Sequence, residues 1–333
     1  GDWNDGMNRV GIEGQGESVW MGWFLYAALT EFLPCMEYMG EPSQANRYRQ
    51  RLVDLVEALE QHAWDGDWYL RAFYDDGTPL GSATSSDCKI DSIAQSWAVI
   101  SGAADAKRAA QAMQAVDRWL VRPNEKLVLL FQPPFDQSSQ DPGYIQGYVP
   151  GIRENGGQYT HAALWVLWAF ARLRRNDQVG RLLKLLNPIY HADTPEKAAR
   201  YRVEPYVIAA DVYSVTPHIG RGGWTWYTGS AGWMYRVILE MILGIQRVGD
   251  SLMLEPVIPP DWPGFKIIYA WGSTTYRIEA SVDRQAQAAQ VWLDDHLLPD
   301  SRVPLTDDAR LHQVYMKIPP MREIDEDDTA RPK

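Results

Sequence analysis

Two kinds of apolar pattern alternate along the first three quarters of the chain. From Glu17 to Leu33 and from Gln158 to Leu173 the apolar residues run almost without interruption, as in Val19-Trp20-Met21-Gly22-Trp23-Phe24 and Leu164-Trp165-Val166-Leu167-Trp168. Helices of that composition are buried on every side. Between them, Ala45 to His62, Asp105 to Leu120 and Asp177 to Leu186 place apolar residues at helical spacing with charges opposite, the signature of a helix with one buried face. Ile90 to Ser101 and Ser230 to Gln246 read as further inner helices, and Tyr206 to Tyr213 as a shorter one. Inner helices alternating with outer amphipathic ones predict a mainly α fold, a toroid of helical hairpins or (α/α)6 barrel. About seven or eight helices are legible where a closed toroid needs about twelve, so the barrel is expected to be N-terminally incomplete.

From Gly249 onward the pattern shortens. Leu252 to Leu254, Phe265 to Tyr269, Thr275 to Ala280 and Ala289 to Leu293 are strand-like runs separated by turn residues, which predict a small antiparallel β domain. The expected division is a catalytic region at 1–248, a C-terminal β domain at 249–320 and an acidic, disordered tail at 321–333. Between the helices, Trp64 to Asp87, Pro133 to Gly157 and Tyr213 to Gly229 are long and rich in Gly, Pro and aromatic residues. Loops of that length inside a compact domain are usually functional, and here they would form the mouth of the barrel.

Composition narrows the partners. The chain holds 15 Trp and 17 Tyr against 7 Phe, an excess of rings with a polar handle that suits sugar-stacking surfaces; core packing remains the alternative for each Trp alone. A net charge of −11 argues against nucleic acid. The two cysteines, Cys35 and Cys88, make no disulfide framework and are read as reduced thiols, with a cytoplasmic location. No apolar run is read as a membrane span. There is no GxGxxG after a strand, no Walker loop, no HExxH and no CxxC, which removes dinucleotide, kinase and zinc-protease chemistries. No metal or organic cofactor is expected.

Three polar segments remain. Gly1-Asp2-Trp3-Asn4-Asp5-Gly6-Met7-Asn8 combines carboxylates, amides and an indole: an acid to protonate an oxygen, amides to grip hydroxyls and a ring to stack a pyranose. The same residues also make an ordinary turn. Arg153-Glu154-Asn155 and His161 stand together just before a buried helix, and Arg221 to Ser230 runs into another. Backbone N–H groups at a helix start, with the helix dipole, favour an anion, and Thr228 and Gly229 are apt donors to phosphate oxygens. Glycine-rich capping without a ligand is the alternative.

GDWNDGMN, GESVWMGWF, KIDSIAQSW, DPGYIQGYVPGIRENGGQYTHAALW and GRGGWTWYTGSAGWMYR, in this order, resemble the phosphorylases of glycoside hydrolase family 94. YRVEPYVIAADVYS is most similar to the C-terminal phosphorylase-like region of cyclic β-1,2-glucan synthases. The resemblance implies an (α/α)6 barrel preceded by a β-sandwich and followed by a small β domain, of which this sequence lacks the sandwich and the first barrel helices. It implies Asp5 as general acid, Trp3 in the sugar subsite, and His161, Thr228 and Gly229 around phosphate. Asp2, Arg153, Glu154 and Asn155 join the expected substrate-binding set. Inorganic phosphate enters as co-substrate, and a phosphate-binding Arg from the upstream region is missing. The expected partners are a β-glucan oligosaccharide or polysaccharide and phosphate. A membrane glycosyltransferase region upstream in the same parent chain is a further expectation, which would place this part at the cytoplasmic face of the inner membrane. A homodimer is also expected.

An inverting hydrolase needs an acid and a base that activates water, whereas a phosphorylase needs the acid alone, because phosphate is already charged. The residues therefore suggest inverting phosphorolysis of a β-glucosidic bond to α-glucose 1-phosphate. An inverting hydrolase with Glu154 or Asp91 as base and a non-catalytic glucan-binding module stay open. The acid must hold its proton, so burial is expected around Asp5, with a neighbouring carboxylate such as Asp2.

Overall fold

The computed structural model describes residues 2–136 and 138–320, with Thr228 described by its backbone alone. The acidic tail expected at 321–333 lies outside the described residues. Two compact units divide the described chain, one of residues 2–169 with 184–231 and one of 170–183 with 232–320.

The helices are α1 (Val19–Tyr38), α2 (Pro42–His62), α3 (Ser92–Ser101), α4 (Ala106–Trp119), α5 (Thr160–Arg172), α6 (Asn176–Leu186), α7 (Pro188–His191), α8 (Pro195–Tyr201) and α9 (Thr228–Arg236). Their starts follow from local chemistry. Ser18 caps α1, Asp91 caps α3 and Asp105 caps α4, each side-chain oxygen accepting from an otherwise orphaned N–H. Pro42 and Pro195 occupy the first turns of α2 and α8, where the missing N–H costs nothing.

Within the first unit α1 packs on α2 and α3, and α3 on α4. Every residue from Ser92 to Ile100 is buried, so α3 is an inner helix, as its pattern predicts. A tryptophan cluster joins three helices: Trp97 of α3 meets Trp20 of α1 at 6.1 Å and Trp165 of α5 at 5.3 Å between ring centroids.

Four expectations need correction. The helix α1 is apolar almost all round, yet Met21, Leu25, Ala28 and Phe32 form an exposed stripe along it; its other face carries the buried Trp20 and Trp23. It is also long and apolar enough to cross a bilayer by length and composition, which the sequence reading did not anticipate, although its packing on α2 and α3 is what a core helix of a helical unit makes. Tyr206–Tyr213 is not a helix. Pro205 precedes it, β-branched Val207, Ile208 and Val212 weaken helix there, and Asp211–Val212 pairs instead with Gln158–Tyr159. The helix read over Ser230–Gln246 stops early, passing from α9 into a π-type turn at Val237–Ile242. Gly244 then takes φ +67°, where a Cβ would lie 2.1 Å from the Glu255 carbonyl carbon, and a strand begins at Ile245.

The second unit carries two sheets. Ile245–Val248, Ser251–Leu254 and Arg302–Pro304 form one, all antiparallel. The other has five strands, Gly264–Trp271, Thr274–Val282, Leu311–Ile318, Gln290–Leu293 and His296–Leu297 in spatial order. Thr274–Val282 runs parallel to Leu311–Ile318, so this sheet is mixed and not purely antiparallel. Thr274, Tyr276, Ile278 and Ala280 are buried while Arg277 and Glu279 are exposed, the alternation of a sheet with one covered face.

Candidate active site

The opening loop is held by a buried ion-pair network. Asp5–Met7 is a single 3-10 turn capped by Asn4, whose Oδ1 accepts from the Gly6 N–H at 3.1 Å. Asn4 in turn donates its N–H to Asp2 Oδ1 at 3.0 Å. Arg71 grips Asp2 with both terminal nitrogens, at 2.6 and 2.8 Å, and its Nε lies 3.3 Å from Asp91. Ser18 adds a hydrogen bond to Asp2 at 2.5 Å. Burial by itself would raise the Asp2 pKa, but the charge and hydrogen bonds of Arg71, with Ser18 and the Asn4 N–H, hold it well below the usual carboxylate range. Asp91 is pushed up to about 6, because its burial outweighs the pull of Arg71.

Asp2 is therefore a brace for the loop, its side chain 6% exposed, and does not present oxygens to a sugar. Asp91 is equally committed: 1% exposed, it caps α3 and faces Arg71, which removes it as a water-activating base. Asp5 itself is exposed. The burial expected around the acid is not supplied by this chain's own residues, and the neighbouring Asp2 has its charge matched by Arg71. The loop rests on Asp141–Gly147: Asn8 Oδ1 accepts from the Tyr144 N–H at 3.2 Å, and Gly143, at φ +115°, leaves no room for a Cβ against that same oxygen.

Trp3 leads from the loop to the anion-binding candidates. Its ring stands edge-on to Tyr159 at 5.3 Å and to His161 at 5.4 Å, and meets Trp165 at 5.3 Å. His161 lies in the first turn of α5. Burial depresses its pKa to about 4, so the imidazole is neutral at neutral pH and offers one N–H. A Cβ on Gly229 would stand 3.5 Å from His161 Nδ1, so the start of α9 meets the start of α5 here. The heads of these two helices thus lie side by side at one imidazole. Thr228 heads α9 by its backbone; its side chain lies outside the described residues.

The loop before α5 divides its labour. Arg153, at φ +52°, lies over Tyr148 at 4.9 Å and Trp224 at 5.4 Å, with its Nε 3.5 Å from Glu154. Glu154 is raised by burial, with Arg153 opposing and Asp211 and Asp5 reinforcing, which puts Asp5 within electrostatic reach of this carboxylate. Asn155 is fully buried and spends its amide inside the loop: it donates to the Phe135 and Tyr148 carbonyls and accepts from the Phe135 N–H. It braces the loop, and the expectation that it grips substrate is withdrawn.

Arg71 and Asp211 were missed by the sequence reading. Asp211, 1% exposed, accepts from the N–H groups of Arg153 and Trp224 at 3.2 and 3.1 Å, tying the two glycine-rich loops together. Gly223 has no side chain because Asp211 Oδ1 occupies the space, 2.2 Å from where a Cβ would be. The signal was present as a carboxylate between apolar residues in Ala209-Ala210-Asp211-Val212, since buried carboxylates are seldom left without partners. Among the described residues no cluster of three or more His, Cys, Asp or Glu is placed to hold a metal ion.

The cyclic beta-(1,2)-glucan synthase NdvB of Rhizobium meliloti (strain 1021) is 52% identical over 286 residues, covering 86% of this chain and 10% of that protein. The solabiose phosphorylase of Paenibacillus borealis is 32% identical over 318 residues, 94% of this chain and 41% of its own length. The N,N'-diacetylchitobiose phosphorylase of Vibrio proteolyticus is 33% identical over 282 residues, 84% and 34% respectively. The chain thus spans less than half the length of each. Among solved structures, a sialidase matches with a TM-score of 0.51 at 15% identity, over 75% of this chain and 22% of its own, a likeness of fold alone. Residues 1–244 match the catalytic domain of the glycosyl hydrolase 94 superfamily, and the chain belongs to that superfamily.

Proposed function

We propose that this chain is the catalytic region of an inverting phosphorylase that cleaves β-glucosidic bonds of a β-glucan, β-1,2-linked, to release α-glucose 1-phosphate. The observation that carries the reading is the meeting of Trp3, a neutral His161 and Gly229 at the heads of α5 and α9. That is a set of hydrogen-bond donors beside an indole, suited to an anion next to a sugar face. Similarity to proteins named as phosphorylases supports the reaction class, and similarity to a β-(1,2)-glucan synthase supports the linkage.

In this reading the Asp5 carboxyl gives its proton to the glycosidic oxygen as the bond to the anomeric carbon breaks. A phosphate oxygen, held by His161 and the α9 N-terminus, attacks that carbon from the opposite face, so the β-glucoside becomes an α-phosphate. The exposure of Asp5 leaves its desolvation to the bound sugar and to residues upstream in a longer parent chain. The helices are read as part of an (α/α)6 barrel, supported by the shared tryptophan cluster of α1, α3 and α5 and by the apolar stripe that α1 leaves uncovered. The membrane glycosyltransferase region and the inner-membrane location belong to that parent.

The test is to incubate the chain, and separately a longer parent, with β-1,2-glucan with and without inorganic phosphate. Phosphate-dependent release of α-glucose 1-phosphate, abolished in Asp5→Asn, is the expected result. Release of free glucose independent of phosphate would sink the reading in favour of a hydrolase with Glu154 as base.

A further inference from the structure

We propose that a second cleft in the first unit, floored by the far side of the loop that carries Arg153 and Glu154, binds a β-glucan segment away from Asp5. The proposal rests on the glucan reading above for the identity of its ligand. The cleft has a volume of about 1050 Å³, the size of a pocket for a ligand of several rings. Gly151 and Gly156 line it, whereas none of Trp3, Asp5, Glu154 and His161 does. One loop therefore serves the candidate active site with its side chains and the cleft with its backbone.

The lining chemistry selects the ligand. Trp119, the last residue of α4, lines the cleft and stays 40% exposed, with the Arg118 guanidinium over its ring at 5.2 Å. Pro133 and Pro134 add C–H surfaces. Around these apolar faces stand Lys89, Glu125 and an Arg122–Gln132 pair, joined by a hydrogen bond from the guanidinium to the amide oxygen. Lys89 and Glu125 make no ion pair among the described residues. A purely apolar ligand would leave these charged groups desolvated without partners. A polyanion would call for cations alone and would leave Glu125, which stands with Lys89 and Arg122 in the lining, facing like charge. A neutral ligand with apolar faces and a rim of hydroxyls satisfies both halves, because a pyranose stacks on the indole while its hydroxyls meet the carboxylate, guanidinium and ammonium groups. Holding the polymer there raises the effective concentration of its reactive end at Asp5.

The test uses calorimetric binding of β-1,2-glucan oligosaccharides to the whole chain in an Asp5→Asn background, with far-ultraviolet circular dichroism to confirm folding. Trp119→Ala is expected to weaken oligosaccharide binding about tenfold and Trp119→Phe to restore most of it, with Glu125→Gln weakening it too. In the otherwise native chain, Trp119→Ala should raise KM for long glucan and leave kcat and the KM for a disaccharide unchanged. Unaltered binding and KM in folded Trp119→Ala and Glu125→Gln would overturn the inference. Loss of binding in those variants, with no phosphorolysis by the native chain, would uphold the cleft and refute the reaction. Phosphorolysis that is indifferent to Trp119 would do the reverse.

Discussion

Without the Arg71 guanidinium, Asp2 and Asp91 would be stranded where water hardly reaches them, their side chains 6% and 1% exposed. Removing one member of a buried ion network leaves the desolvation penalty of the others uncompensated, and Arg71→Met is expected to cost about 3–5 kcal/mol in urea denaturation. Turnover should fall with it, because Asp2 holds the Asn4 N–H and Asn4 caps the turn that presents Asp5. A second effect at this scale is pH dependence. His161 is held neutral in the fold down to about 4, while in the unfolded chain it gains its proton near the ordinary value of about 6.5. Between those values the unfolded state binds the extra proton, so stability is complete above about 6.5 and declines as pH falls toward about 4, by on the order of 3 kcal/mol. Asp91, raised to about 6, acts in the opposite direction over the same range, so the test is a difference: from pH 7 to 4 His161→Gln should lose less stability than the native chain in thermal melts, and an equal loss would refute the assignment.

At the scale of elements, the heads of α5 and α9 meet at His161, where the proposed reading puts phosphate. A methyl group on Gly229 would sit at ordinary contact distance, 3.5 Å, from His161 Nδ1, so Gly229→Ala should fold normally while filling the space proposed for phosphate. Phosphate at about a hundred times its Kd should stabilise the native chain by about 2.7 kcal/mol in a thermal shift assay. In Gly229→Ala most of that shift should vanish with no loss of basal melting temperature; an undiminished shift would mean that phosphate binds elsewhere. The elements themselves were unevenly legible. Spacing revealed α2, α3, α4, α5 and α6 within a few residues, because each either buries one stripe or buries everything. It failed at Tyr206–Tyr213, where apolar residues serve loop packing and a two-residue strand, and past α9, where Gly244 turns the chain against the Glu255 backbone beyond the next strand. In the site, Trp3 and His161 were read from their motifs, and the structure brings them together. Asn155 and Asp2 were read as ligand groups because periodicity cannot tell a polar side chain that faces a cavity from one that braces a loop.

For the whole molecule, alternation of inner and outer helices was visible along the chain, but which surfaces find a partner was not. The strand Leu311–Ile318 went unread because only Val314, Met316 and Ile318 alternate cleanly into the core; its place between two other strands comes from long-range pairing. The stripe of Met21, Leu25, Ala28 and Phe32 poses the converse case, an apolar face with the spacing of a buried helix that the described residues leave open. An exposed apolar stripe promotes self-association, so Leu25→Lys combined with Phe32→Lys should suppress concentration-dependent association of this chain in sedimentation velocity. Both side chains are partly exposed, 39% and 45%, so the chain's own stability should change by about 1 kcal/mol at most. In a longer parent that completes the barrel, the same lysines would be driven into an apolar interface and should destabilise by about 2–4 kcal/mol. Equal, small effects in both chains would mean that the stripe faces solvent in the parent as well, and the reading of α1 as an inner barrel helix would fail.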